Sequence, residues 1–216
     1  MNVKESEFKP VQQIRTAMKL KVATDAYFQM FEKYNQVGIF HSYSELLFAA
    51  LLESDQKVSD FTPQPMQVRI KGKRYIPDFH YIKNDKSFIA ELKPRGVFNE
   101  EKKAICEEVF ELQDMKFEVI NNDDVLKQEV KALNWLQIVR VILTSKIEDT
   151  VNQEHKLMSD VVCGSVSKFG DVIDTGNRMA TKLEEIALYR LIYTNRLHAE
   201  IDKHLINLDT EIMICQ

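Results

Sequence analysis

The chain has 216 residues, of which 44% are hydrophobic and 29% charged, so it can bury the core of one ordinary domain or two small ones and is neither disordered nor fibrous. Its 29 basic and 33 acidic side chains leave a net charge of −4, which argues against a protein that coats nucleic acid by bulk charge but allows a local basic groove. Cys106, Cys163 and Cys215 are odd in number, far apart and in no C-x-x-C pair, which speaks against a disulfide scaffold or a zinc ribbon. The first residues lack an apolar signal core, and no apolar run approaches the roughly 20 residues that span a bilayer. The expectation is a soluble cytoplasmic protein.

In chain order, apolar positions from about 10 to 34 (Val11, Ile14, Met18, Val22, Phe28, Phe31) recur at mixed three- and four-residue spacing and predict helix or loose helical turns. Ser42 to Glu53 predicts a strong helix. Val58 to Ile70 reads as extended, interrupted by Pro63 and Pro65. Lys71-Gly72-Lys73 is a turn signal. Tyr75 to Ile82 reads as a strand, with Pro77 at an edge or bulge. A second turn, at Lys83-Asn84-Asp85-Lys86, leads into a strand from Ser87 to Lys93 that Pro94 and Gly96 stop. Asn99 caps an amphipathic helix to Asp114, and Phe117 to Ile120 is a short buried strand. Helix, three strands, helix and strand predict an α/β sandwich over residues 1–120.

Residues 121–216 contain none of the five prolines. Helices fit Asp123 or Asp124 to Leu143, then 147–162 and 180–195, and Leu197 to Ile214 fits a hairpin. That order predicts a mainly helical, winged-helix-like second domain. Residues 1–120 hold 18 basic and 18 acidic side chains and residues 121–216 hold 11 and 15, so the whole negative excess lies in the second half.

The chemistry concentrates at Pro77-Asp78 and Glu91-Leu92-Lys93. Side chains alternate along a strand, so Glu91 and Lys93 share one face and Phe88, Ala90 and Leu92 the other. Asp78, on the neighbouring strand, converges with them. Two carboxylates repel each other unless a cation lies between them, and with a backbone carbonyl they make a hard oxygen site suited to Mg²⁺. Such an ion activates water and polarises phosphate, while a nearby lysine can orient or activate the attacking water and offset transition-state charge. The alternative is a turn aspartate and a surface ion pair. Glu45 sits early in the Ser42 helix and is either a further member of this set or the acidic end of a Ser42-x-x-Glu45 capping box. Arg69, Lys71, Lys73, Arg74 and Arg95 surround the motif, with no acidic residue between Pro63 and Pro77, and read either as phosphate contacts or as a solvated turn. His80 follows Asp78 on the same strand face and reads either as a support for the Asp78 site or as a packed or solvent histidine. No zinc-spaced histidine pair, nucleophile elbow or Walker loop occurs.

Tyr43-Ser-Glu45-Leu-Leu, Val58-Ser-Asp-Phe-Thr-Pro-Gln64-Pro65, Lys73-Arg-Tyr75-Ile-Pro77-Asp78-Phe79 and Ile89-Ala-Glu91-Leu-Lys93-Pro94, in that order, resemble the N-terminal domain of TnsA-type transposon endonucleases across residues 25–120. The resemblance implies a restriction-endonuclease-like core of the PD-(D/E)xK type and a Mg²⁺-dependent DNA endonuclease, with Mn²⁺ as a substitute. It implies a bacterial protein that cuts the non-transferred strand at the 5′ ends of a transposon beside a TnsB-type DDE transposase and a TnsC-type AAA+ ATPase. By position, Glu45, Asp78, Glu91 and Lys93 would be catalytic, with Asp78, Glu91, Glu45 and the Leu92 carbonyl as metal ligands. Residues 121–216 match the family's C-terminal winged-helix-like domain in size, and their acidic balance favours a protein contact. The alternatives are a stand-alone restriction or repair nuclease of the same fold and a non-catalytic assembly adaptor.

Overall fold

The computed structural model describes residues 12–14 and 25–215. The chain divides into two compact units, one ending at Lys127 and the other beginning at Gln128, so the boundary falls after residue 120 and leaves a short helix with the first unit.

The first unit is mixed α/β. Its central sheet has four strands in the order β3 (Val58–Pro63), β6 (Phe79–Lys83), β7 (Lys86–Lys93), β8 (Met115–Asn121). β6 pairs antiparallel with both β3 and β7, whereas β8 runs parallel to β7 because helix α2 (Glu100–Glu111) carries the chain back between them. The turn between β6 and β7 has only two residues, Asn84 and Asp85, both at positive φ (50° and 59°), a conformation that short polar side chains tolerate. Lys71-Gly72 makes the same kind of turn (φ 48° and 74°) in the separate hairpin of β4 (Val68–Ile70) and β5 (Lys73–Tyr75). The two-residue turn at Asn84-Asp85 fixes the β6–β7 register. Lys83 faces Lys86 and Phe79 faces Ala90, so Asp78, just before β6, lies level with Glu91.

Both sheet faces are covered. On one, Phe79 and Tyr81 pack edge-on against Phe48 of helix α1 (Tyr43–Ser54), and Phe61 joins Phe31 and Phe79. On the other, Ile89 and Phe117 bury against Cys106 and Phe110 of α2 and against Val68, Ile70 and Tyr75 of the β4–β5 hairpin. Of the stretch read as helix from about 10 to 34, Val11, Met18 and Val22 lie outside the described residues. Its described part holds no helix: β1 (Tyr27–Met30) pairs antiparallel with β2 (Val37–Phe40), and a turn follows β1. The three-residue step from Phe28 to Phe31 spans the end of a strand: Phe28 is exposed and Phe31 enters the core beside Phe40 and Phe61. The single strand expected from Tyr75 to Ile82 is two, because Pro77 interrupts it. Helix α3 (Asn122–Leu126) closes the unit.

The second unit comprises α4 (Glu129–Thr144), α5 (Val151–Val162), α6 (Lys182–Tyr193) and an antiparallel pair, β9 (Leu197–Ala199) with β10 (Ile212–Ile214). The helix expected from Asp123 to Leu143 is divided between α3 and α4. Trp135, Ile138, Val139, Ile186 and Tyr189 are buried in its core. Two side chains pin its loops. Buried Asn134 donates to the carbonyls of Ile201 and His204 and accepts from the Ile206 N–H. Arg190 donates to the carbonyls of Ser145 and Glu148 and to the Thr150 hydroxyl. Among the described residues no helix is long and apolar enough to cross a membrane, and Cys106, Cys163 and Cys215 are free thiols.

Candidate active site

The end of the β6–β7 pair gathers the acidic residues of the motif. Asp78 is fixed by the Leu92 N–H, which donates to its Oδ2 at 2.7 Å. Glu91 is almost fully buried. Its Oε2 accepts from the Tyr75 hydroxyl at 2.6 Å and its Oε1 takes the Lys93 ammonium at 2.7 Å. Glu91 and Lys93 therefore share a face, as strand alternation requires.

Glu45 arrives from the first turn of α1 and is also buried. Its two sequence readings are both present in one residue. The Ser42 hydroxyl caps the helix by accepting from the Glu45 N–H at 3.2 Å and donates to Glu45 Oε1. The Glu45 carboxylate takes the His41 N–H at 2.9 Å and the Gln64 amide at 3.0 Å on Oε2. Gln64 follows β3 at φ 39°, an uncommon backbone for a side chain of this size, and its N–H donates to the Asp78 carbonyl. Gln13 donates in turn to Gln64 Oε1 and brackets Ile39, with its Nε2 on the carbonyl and its Oε1 on the N–H.

The electrostatics follow from this crowding. Burial, then the charge of Glu91, then that of Glu45 push the Asp78 carboxyl up to about 8, against the smaller opposing pull of the Leu92 N–H and Lys93. Burial works against the Lys93 ammonium, but its bond to Glu91 and the charges of Glu91, Asp78 and Glu45 outweigh it and raise its pKa. Lys93 is a fixed cation here, not a base. Burial and the Glu91 charge raise the Tyr75 phenol far above its ordinary range, so it stays a donor. His80 is buried against Ser87, and burial lowers its pKa, so it is a neutral packed histidine.

The donors suit a hard divalent cation: carboxyl oxygens, that of Asp78 protonated near neutrality because it is buried and lies beside Glu91 and Glu45. The arrangement is not a preformed cage. Among the described residues no three His, Cys, Asp or Glu stand in metal-ligand geometry, and the Glu91 oxygens are held by Tyr75 and Lys93.

Four of the basic residues singled out in the sequence, Arg69, Lys71, Lys73 and Arg74, are exposed on the β4–β5 hairpin, where Arg69 faces Arg74 across the strands. Lys71 pairs with Glu101 of α2. Arg95 is exposed in the turn after β7 at φ 54°. Tyr75 and Gln64, which hold Glu91 and Glu45, escape a reading based on charge. Their signal is positional, since each lies inside one of the sequence segments quoted for the resemblance rather than among the charged residues. No protein-family model matches the chain, and no curated protein matches it.

Proposed function

We propose that the chain is a metal-dependent DNA endonuclease of the TnsA type, with a restriction-endonuclease-like first unit and a winged-helix-like second unit. The observation that carries the reading is the Asp78 carboxyl, raised to about 8 among Glu91 and Glu45 with Lys93 alongside, at the end of two neighbouring strands. Repelling carboxylates beside a fixed cation are costly to keep in a fold and useful for phosphodiester chemistry.

Asp78 and Glu91 would hold Mg²⁺ or Mn²⁺ with the Leu92 carbonyl, and Glu45 would complete the set. A bound divalent ion supplies charge neutralisation at the phosphate and a more acidic water. Asp78 sheds its proton when the site is loaded. Lys93 keeps its positive charge and, on moving from Glu91, offsets the charge that grows on the phosphate oxygens as water attacks in line and the 3′ oxygen leaves. Tyr75 holds the Glu91 carboxylate in place, and Gln64 with Ser42 holds that of Glu45.

The substrate is transposon-end DNA, cut on the non-transferred strand beside a DDE transposase and an AAA+ ATPase. The low net charge suits an enzyme brought to DNA by partners. The acidic balance of the second half favours a protein contact there over DNA binding. The test is strand-resolved cleavage of element-end DNA by transposase, Mg²⁺ and either wild type or Asp78→Ala. The expected result is a 5′-end nick with wild type only. Nicking without transposase would instead indicate a stand-alone nuclease of the same fold. The capture of both Glu91 oxygens by Tyr75 and Lys93 favours a second reading, a non-catalytic adaptor, which predicts identical cutting with both proteins.

A further inference from the structure

A groove of about 340 Å³ lies between the β4–β5 hairpin and the first turns of α2. Lys71, Lys73 and Arg74 enter it from the hairpin, Lys102 and Glu101 from the helix, and Tyr75 forms part of its wall. Four cations face one anion. That anion, Glu101, is paired with Lys71, and both partners are largely exposed, at 57% and 76%. Among the described residues no ion pair engages Lys73, Arg74 or Lys102. Lys102 is held instead over two aromatic rings, 4.2 Å from the centre of Tyr75 and 4.8 Å from that of Phe98. Rings fix the position of an ammonium without neutralising it, which leaves its charge for an incoming anion. Glu100 and Glu101 occupy the first turn of α2, so the helix end itself repels anions and the attraction comes from the side chains.

We infer that this groove is a phosphate seat for the DNA strand being cut, formed by Lys102 of α2 together with Lys73 and Arg74 of the hairpin. Tyr75 links it to the reaction centre: one side of the residue carries Lys102 over its ring, and its hydroxyl donates to Glu91. A phosphate held there is a neighbour of the scissile one and sets the register of the strand. Lys71 leaves Glu101 for the incoming phosphate, an exchange that costs little because exposed ion pairs are weak. The inference deepens the nuclease reading and rests on it for the identity of the anion.

The test is fluorescence anisotropy of a short labelled DNA duplex with the whole chain in metal-free buffer over a salt series. Lys102→Gln with Arg74→Gln removes both charges while keeping polar side chains and is expected to weaken binding about tenfold and to flatten the salt dependence by one to two counterions. Glu101→Gln is expected to tighten binding about threefold. Lys116→Gln, outside the groove, is expected to bind as wild type. Unchanged affinity and salt slope in the double variant would overturn the inference. So would saturable binding of inorganic phosphate that needs Lys102 while duplex binding does not, since the groove would then take a free anion. Asp78→Ala separates the two levels: its binding stays intact in either case, and persistent cutting by it would sink the nuclease assignment without touching the binding result.

Discussion

The Tyr75 hydroxyl donates to Glu91 Oε2 across 2.6 Å in the protein interior, while Lys93 holds the other oxygen of the same carboxylate. A buried carboxylate that loses a donor keeps the cost of its desolvation. Tyr75→Phe should therefore lower stability by about 2 kcal/mol. Because the phenol remains protonated at every pH where the protein folds, the loss should be the same at pH 6 and pH 9. Chemical denaturation at the two pH values checks this, and cleavage should fall with KM for DNA unchanged, since Tyr75 positions Glu91.

Asp78 should cost stability in order to serve function. Its carboxyl titrates near 3.8 when unfolded and is raised to about 8 in the folded protein. Between those values the folded state binds the extra proton, so the group's contribution to stability is fully present below about pH 4 and is lost as pH rises through about 8. Asp78→Asn, which cannot ionise, should match wild type only below about pH 4 and gain on it steadily as pH rises, by an amount on the order of several kcal/mol at pH 9. Thermal unfolding across this range checks the sign. A stabilised and inactive Asp78→Asn protein is the expected phenotype.

The same proton should appear in metal binding. Below about pH 8 the cation must displace it, so Mn²⁺ affinity should rise by up to tenfold per pH unit between pH 6.5 and 8 and level off above. Calorimetry in buffers of different ionisation enthalpy should count close to one proton released per ion at pH 7.

Gln64 should act through Glu45. Gln64→Ala removes an amide that holds the Glu45 carboxylate at 3.0 Å and should cost about 1–2 kcal/mol. Glu45 then rests on Ser42 and the His41 N–H alone, so cutting should drop in kcat more than the stability loss accounts for. Gln64→Gly should regain part of the stability, because φ 39° suits glycine, but none of the activity.

Much of this site can be read from the chain because the β6–β7 connection is a two-residue turn. Once Asn84-Asp85 is recognised, antiparallel pairing brings Asp78 level with Glu91 and strand alternation puts Lys93 beside Glu91. The α1 cap at Ser42 is equally local. What the chain does not disclose depends on long-range packing. Tyr75 meets Glu91 only because the β4–β5 hairpin folds over Ile89 and Cys106, and Gln64 meets Glu45 only because α1 crosses the end of β3. Aromatic spacing misled at Phe28 and Phe31, where a strand ends and only the second ring turns inward. Lys102 escaped notice because an amphipathic helix gives no reason to single out one lysine until Tyr75 and Phe98 are beneath it.

Anomalous diffraction from crystals soaked in Mn²⁺ bears most directly on whether positions 45, 78 and 91 serve one divalent ion. The expected result is a peak about 2.2 Å from the carboxylates of Asp78 and Glu91, with Lys93 moved off Glu91. A map with no peak at these carboxylates, and Lys93 still bonded to Glu91 at saturating Mn²⁺, would contradict a shared ion and with it the nuclease chemistry.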